Sequence, residues 1–404
     1  MGALTGIRVV ELTSERCALA GKLLGDMGAD VIVVEPPGGS PTRRYEPFAD
    51  DSGEMKDSLH WWHYNTSKRS VVVDLGTLTG VSDLRSLINS ADVVIEAEPL
   101  GSLSDLGIDW DDFSNKRSDL IWVSVTHHGR NGLDPAATDL TIMAEGGPVW
   151  SCGYDDQELP PIRGAGNQAF HGACQYAVAG TLVALLWRET SGKGQLIDVS
   201  MLGVANTTTE MATLWWLNSS REVQRQTGRH AHHSPTEWTQ IQCKDGLWFN
   251  TGVPPRTKTE FVALRSWIEE LDLVEECAPY EILKLGDQFE KIGLFELDED
   301  PLAGEVFQAG RDAITFLGSR LDAYELFTGL QQRGIACGIV YSPDEMLKDP
   351  HFVERQFPTK IPHENRGESY LYPGAPYRFS KTPWSAYRSP ELGEHQNVII
   401  NDDL

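Results

Sequence analysis

The stretch Pro160 to Met201, PPIRGAGNQAFHGACQYAVAGTLVALLWRETSGKGQLIDVSM, constrains the fold of this chain more than any other. A Gly/Pro-rich loop, Pro160–Asn167, runs into an almost wholly apolar helix that ends near Arg188. Ser191-Gly192-Lys193-Gly194 then turns the chain into Gln195–Val199, which reads as a buried strand. So little polar surface on the helix predicts a central position in the fold. Its N-terminus directs free backbone N–H groups at whatever the preceding loop holds, a frequent place for chemistry.

The rest of the chain supplies a sheet for that helix. Gly6–Leu12, Asp30–Val34, Ser70–Leu75, Asp92–Ile95 and Leu120–Val125 read as strands, with helices over Ala18–Met27 and near Gly80–Ser90. The β-α-β alternation with short connections predicts an α/β fold with a Rossmann-like open, mainly parallel sheet. Composition shifts toward charged helices between about 225 and 330. We therefore expect a large domain over 1–224, a smaller inserted α+β domain over 225–330, and a C-terminal segment, 331–404, returning to the large domain.

The chain has 404 residues and a formal net charge of −25, which argues against nucleic acid or an anionic lipid surface as partner. No apolar run is expected to approach the length of a membrane span. The N-terminus enters strand-like sequence at once, so no leader peptide is expected and a cytoplasmic location is. The six cysteines (17, 152, 174, 243, 277 and 337) show no C-x-x-C spacing and read as reduced thiols. No metal site is expected: His230, His232 and His233 have no acid or cysteine at ligand spacing. The Ser191–Gly194 turn resembles a phosphate loop but lacks the residues such a loop requires. His127 and His128 stand at the C-terminal end of a predicted strand, a favoured place for sites in open sheets.

Several segments, in order, carry a family resemblance: GIRVVELT, LLGDMGADVIVVEPPGG, NTSKRSVVVDL, ADVVIE, LIWVSV, DLTIMAEGG, the core helix with its SGKGQ turn and IDVSM strand, RGIACGIV, LKDPHF, GAPYRFSKTP and ELGEHQN. Together they resemble the family III CoA-transferases, or CaiB/BaiF family. The resemblance implies an interlocked dimer and a catalytic Asp at the start of the core helix, ten residues before the glycine of AGTLVALL. That Asp would attack a donor thioester and carry the acyl group as a mixed anhydride. Here the position is Phe170, and a phenyl ring can do neither. Of the nearby acids, Glu189 lies at the far end of the helix, Asp155 and Asp156 precede the loop in a turn expected to face solvent, and Asp139 fits a helix start. In related racemases a His and an Asp form an acid/base pair; His127 echoes the His, and its Asp is missing.

Positions that hold CoA in the family are altered as well. Glu15 and Arg16 stand in the loop after the first strand, Val33 replaces a Lys, and Ala97 and Glu98 interrupt the family's E-N-F-R-P-G loop. Each change removes a donor or cation, or adds negative charge near an anionic nucleotide. The fold-bearing groups Gly28-Ala29-Asp30, Lys68-Arg69-Ser70 and Gly393-Glu394-His395 are kept. The resemblance therefore implies the non-catalytic subunit of a heteromeric CoA-transferase, acting with a homologous catalytic chain. The implied reaction moves CoA from succinyl-CoA to an aryl-substituted dicarboxylate such as benzylsuccinate. No covalent cofactor is implied, and the CoA thioester substrate would be held by the partner. Tyr45, Trp61, Trp62 and Tyr64 are candidates for lining the partner's acyl pocket, or for packing in this chain's own core. The alternatives are a self-sufficient transferase or racemase with a relocated acid, and a non-enzymatic acyl-CoA-binding protein.

Overall fold

A computed structural model describes the chain apart from residues 51–52, 134–135, 294–296, 298–299 and 403–404. Six parallel strands form the main sheet: β1 (Arg8–Leu12), β2 (Asp30–Glu35), β3 (Lys68–Val72), β4 (Val93–Glu96), β5 (Ile121–Thr126) and β6 (Leu196–Ser200). Their spatial order is β3-β2-β1-β4-β5-β6, with Val10 opposite Ile32 and Val94 opposite Trp122. Strands β4 and β5 are buried along their whole length, as their continuous apolar runs require of a sheet covered on both faces. The strand order reverses between β1 and β4, so the loops after their carboxyl ends open the crevice where such sheets bind ligands.

The chain divides into two compact units. One comprises 1–152, 159–220 and 354–404 and holds the main sheet; the other comprises 153–158 and 221–353. The second unit packs helices such as Lys258–Glu270 and Pro301–Gly318 around Phe249, Phe261 and Trp267. It extends beyond the 330 suggested by composition because Gly338–Ile339 pairs with Trp248–Asn250 in its three-stranded sheet.

The core helix spans Gln168–Ser191. Ala169, Phe170, Ala173, Cys174, Ala177, Val178, Thr181 and Ala184 form its buried stripe, in contact with β5 and β6. The opposite stripe is open: Tyr176, Val183, Leu186 and Trp187 are between 52% and 71% exposed. The expectation of a fully central helix is thus corrected. An all-round apolar helix predicts that both faces are covered, and this chain covers only one. The expectation about membrane spans is corrected too, since this helix has an 18-residue window of mean hydropathy 1.4 and is long enough to cross a bilayer. The turn that follows is fixed by close approach. A Cβ on Gly194 would lie 1.8 Å from the Leu120 carbonyl oxygen, and its N–H donates to the Ser118 carbonyl at 2.8 Å. All six cysteines are unpaired.

Candidate active site

The carboxyl end of β1 leads into Thr13–Arg16 and that of β4 into Ala97–Pro99, while the core helix begins at Gln168. No side chain of the N-cap residue Asn167 caps this helix. Asp139, the first residue of the helix Asp139–Glu145, does so from another element. Its Oδ1 accepts from the Ala169 N–H at 2.8 Å, and its Oδ2 accepts from Arg163 Nη1 at 2.6 Å. Asp139 is 5% exposed, so both oxygens are committed to the helix N-terminus and a cation. The sequence reading gave it a helix-start role; its side chain caps the core helix, while Thr138 caps Asp139–Glu145.

Phe170 lies next in the chain and is 3% exposed, within the apolar cluster that includes Val149, Ala173 and Cys174. The alternative acids lie elsewhere. Glu189 is exposed and, nineteen residues along the helix, about 28 Å away. Asp155 pairs with Arg229 at 2.6 Å in the second unit, and Asp156 is exposed and accepts from the Glu158 N–H.

Rings cover the start of the helix. Tyr64 Oη and His171 Nε2 are 2.7 Å apart, and the ring of His60 lies 4.6 Å from Tyr64 and 5.0 Å from Tyr45. Burial holds His60 and His171 below the ordinary imidazole range. The Tyr45 hydroxyl bonds Glu15, and burial together with that carboxylate pushes the phenol up. Sequence reasoning named Tyr45 and Tyr64 but missed His60 and His171; the signal was the alternation of rings in His60–Tyr64 at helical spacing.

Trp61 and Trp62 require a correction as pocket-lining candidates. Trp61 is 1% exposed, donates from Nε1 to the Pro390 carbonyl at 3.0 Å and stacks under Arg43 at 3.7 Å. Trp62 donates to the Lys56 carbonyl at 2.7 Å and packs on His363 and Tyr370. Both belong to this chain's own core with Val33, Ile361 and Tyr372. Val33 is fully buried there.

Glu96 and Glu98 line a cavity of about 160 Å³ with Asp109, Gly101 and Arg130. Burial pushes the Glu98 carboxyl up, Glu96 adds to this and Arg16 opposes it. Arg16 itself donates to the Ala137 carbonyl at 3.2 Å. Ala97 is buried. This arrangement can hold rings and hydrogen-bond a carbonyl through Tyr64 or His171, and the residue at the helix start can neither attack nor carry an acyl group.

His127 and His128 have a carboxylate partner that the sequence hid. Glu145 Oε2 lies 3.0 Å from His127 Nε2, and Glu145 Oε1 lies 2.6 Å from His128 Nε2. Glu145 thus gives both imidazoles a carboxylate neighbour, and the three side chains form a cluster of metal-ligating groups.

The family model for CoA-transferase family III matches residues 4–396. This chain belongs to CoA-transferase family III. It is 30% identical over 403 residues to the succinyl-CoA:(R)-benzylsuccinate CoA-transferase subunit BbsE of Thauera aromatica, covering 97% of this chain and 92% of that one. It is 28% identical to the succinyl-CoA–L-malate CoA-transferase beta subunit of Chloroflexus aurantiacus, covering 99% and 94%. A CAIB/BAIF family protein from Brucella suis has the same fold, with a TM-score of 0.75 and 26% identity over 98% of each chain. As a family III chain, it is related to proteins whose names record CoA-transferase activity, with CoA thioesters as substrates. Two of those names denote subunits.

A pH effect arises at the ring cluster. Burial, then Lys22, His171 and His60, lower His63 to about 4. The unfolded chain takes up this proton at about pH 6.5, before the folded one does, so stability falls as pH drops from there toward 4. We expect His63→Gln to remove about 2 kcal/mol of the stability difference between pH 7 and pH 4.5, read by urea denaturation at each pH. An unchanged difference would mean that His63 is freely protonated in the fold.

Proposed function

We propose that this chain is the non-catalytic subunit of a heteromeric CoA-transferase that moves CoA from succinyl-CoA to an aryl-substituted dicarboxylate such as benzylsuccinate. The observation that carries this reading is Phe170, buried at the position where the family's nucleophile is expected, beside an Asp139 already committed to capping. The catalytic Asp and the bound CoA belong to a homologous partner chain in the cytoplasm. Similarity to a named benzylsuccinate CoA-transferase subunit supports the substrate class.

The degenerate positions fit this role. An anionic nucleotide would meet Glu98 and Glu15, and the position of the family Lys is the buried Val33. The open stripe of the core helix and the exposed Leu214, Trp216 and Leu217 of Glu210–Ser219 offer apolar surface to a partner. Tyr45 and Tyr64, which stay accessible, are the residues we assign to the partner's acyl pocket.

The test is native mass spectrometry of this chain alone and co-expressed with a homologous chain bearing Asp at the position of Phe170. Each sample is assayed for transfer from succinyl-CoA to benzylsuccinate. We expect a mixed complex active only with both chains present, and inactive when the partner's Asp is replaced. Turnover by this chain alone would overturn the proposal.

A further inference from the structure

Just past the carboxyl end of β5, two imidazoles converge with a carboxylate from the helix Asp139–Glu145 without forming a closed hydrogen-bond set. Neighbouring residues in a strand face opposite ways, yet the rings of His127 and His128 stack at 4.1 Å with an interplanar angle of 12°. They can do so because the chain leaves the sheet here. The His127 carbonyl accepts from the Leu202 N–H at 3.0 Å and from Ser200 Oγ at 3.2 Å, which anchors it to the end of β6. Glu145, last in the helix Asp139–Glu145, spans the two rings with its two oxygens.

Proton bookkeeping decides what this site lacks. His128 Nδ1 is 3.0 Å from the Leu133 carbonyl, which can only accept, so Nδ1 carries a proton; Nε2, 2.6 Å from Glu145 Oε1, then faces the carboxylate with either a second proton or a metal ion between them. The His127 side chain is 2% exposed, and neither of its ring nitrogens makes a hydrogen bond; its contact with Glu145 is close but misaligned for one. One extra proton on His128 would leave His127 unserved. One divalent cation would serve both imidazoles and the carboxylate together.

We propose that His127 Nε2, His128 Nε2 and Glu145 bind a divalent cation of the zinc class. Two imidazoles and a carboxylate are the donor set that such borderline cations prefer. The three donor atoms lie within 4.8 Å of one another. The carbonyl behind His128 supplies the outer hydrogen bond that fixes the tautomer of a metal-binding imidazole. Glu145 has a 46% exposed side chain and can move outward the few tenths of an ångström that metal bonds need. Arg16 is the cation that bears on His127 and opposes binding, but its guanidinium is turned to the Ala137 carbonyl. Three protein ligands leave a coordination position for solvent or a carboxylate. This inference is independent of the missing nucleophile at Phe170.

The full chain, stripped with chelator, is titrated with Co²⁺ and then Zn²⁺. Visible Co²⁺ absorption and calorimetry are the readouts. We expect one equivalent of Co²⁺, displaced by Zn²⁺. Glu145→Gln and His128→Gln should each weaken binding at least about tenfold. Glu145 is exposed, so its variant is expected to fold, which thermal unfolding checks. His232→Gln with His233→Gln should leave binding unchanged. No binding by the wild-type chain, or binding unaltered by Glu145→Gln, would overturn the proposal and leave the cluster as a charge-paired imidazole.

Discussion

Phe170→Asp, which places a carboxylate at the head of the core helix where we propose that the family's nucleophile belongs, is expected to destabilise this chain by at least about 4 kcal/mol at neutral pH and to confer no transferase activity. The ring is 3% exposed, so its removal alone costs about 3–5 kcal/mol, as Phe170→Ala would report. The new carboxylate adds a desolvation penalty, and Asp139 and Arg163 are already paired at the helix start. The pH dependence separates the two costs. Burial raises the folded pKa of the introduced acid above its unfolded value. The penalty is therefore full at neutral pH and shrinks as pH falls through that raised pKa, whereas the loss in Phe170→Ala does not change. Urea denaturation of both variants at pH 7.5 and pH 5 tests this. If Phe170→Asp matched the wild type in stability and became acylated by succinyl-CoA, the position would be open, and a single substitution would account for the missing chemistry.

Much of the architecture is legible in the sequence because its signals are local. Short apolar or β-branched stretches, most of them separated by helical segments, place all six parallel strands, although the third begins earlier, at Lys68, and the last, Leu196–Ser200, is only partly buried where a buried strand is expected. The SGKGQ turn is readable because only glycine fits against Leu120. What stays hidden depends on groups distant in sequence. Asp139 and Ala169 are thirty residues apart and become cap and helix only on folding; Glu145 reaches His127 and His128 in the same way. Periodicity shows that the core helix is apolar all round, but not which face its own chain covers. Trp61 and Trp62 look like pocket walls by composition, yet contact with Pro390, Lys56 and Tyr370 buries them. The kept triplet Lys68-Arg69-Ser70 was readable as fold-bearing, and the structure shows why. Arg69 pairs with Asp30 at 2.6 Å, and Ser70 Oγ donates to Glu35 at 2.6 Å.

Lys68 is the member of that triplet whose loss should cost most. Its ammonium donates to Glu11 Oε1 at 2.8 Å, the Ala18 carbonyl at 2.8 Å and Asn65 Oδ1 at 2.9 Å, which uses all three donors. The Lys68 and Glu11 side chains are 0% and 1% exposed. Gly21 leaves room for Glu11, since a Cβ there would lie 1.6 Å from Oε2. That second oxygen has no hydrogen-bond partner, so Lys68 is the main group compensating the carboxylate. Lys68→Met should therefore cost about 3–5 kcal/mol, because it strands a buried charge. Burial already pushes Glu11 up against the pull of Lys68, and without the lysine the carboxyl rises further. Because Glu11 sits at about 7 even with the lysine present, the penalty should grow as pH rises above about 7 and lose its pH dependence below that value. Glu11→Leu combined with Lys68→Met should recover most of the loss, since the two apolar side chains remove both charges together. If the double variant were no more stable than Lys68→Met, the cost would lie in the lost bonds to Ala18 and Asn65. Lys68 would then act by tying the start of the helix Ala18–Asp26, just past the Glu15–Arg16 loop, to the third strand, and the charge on Glu11 would be incidental.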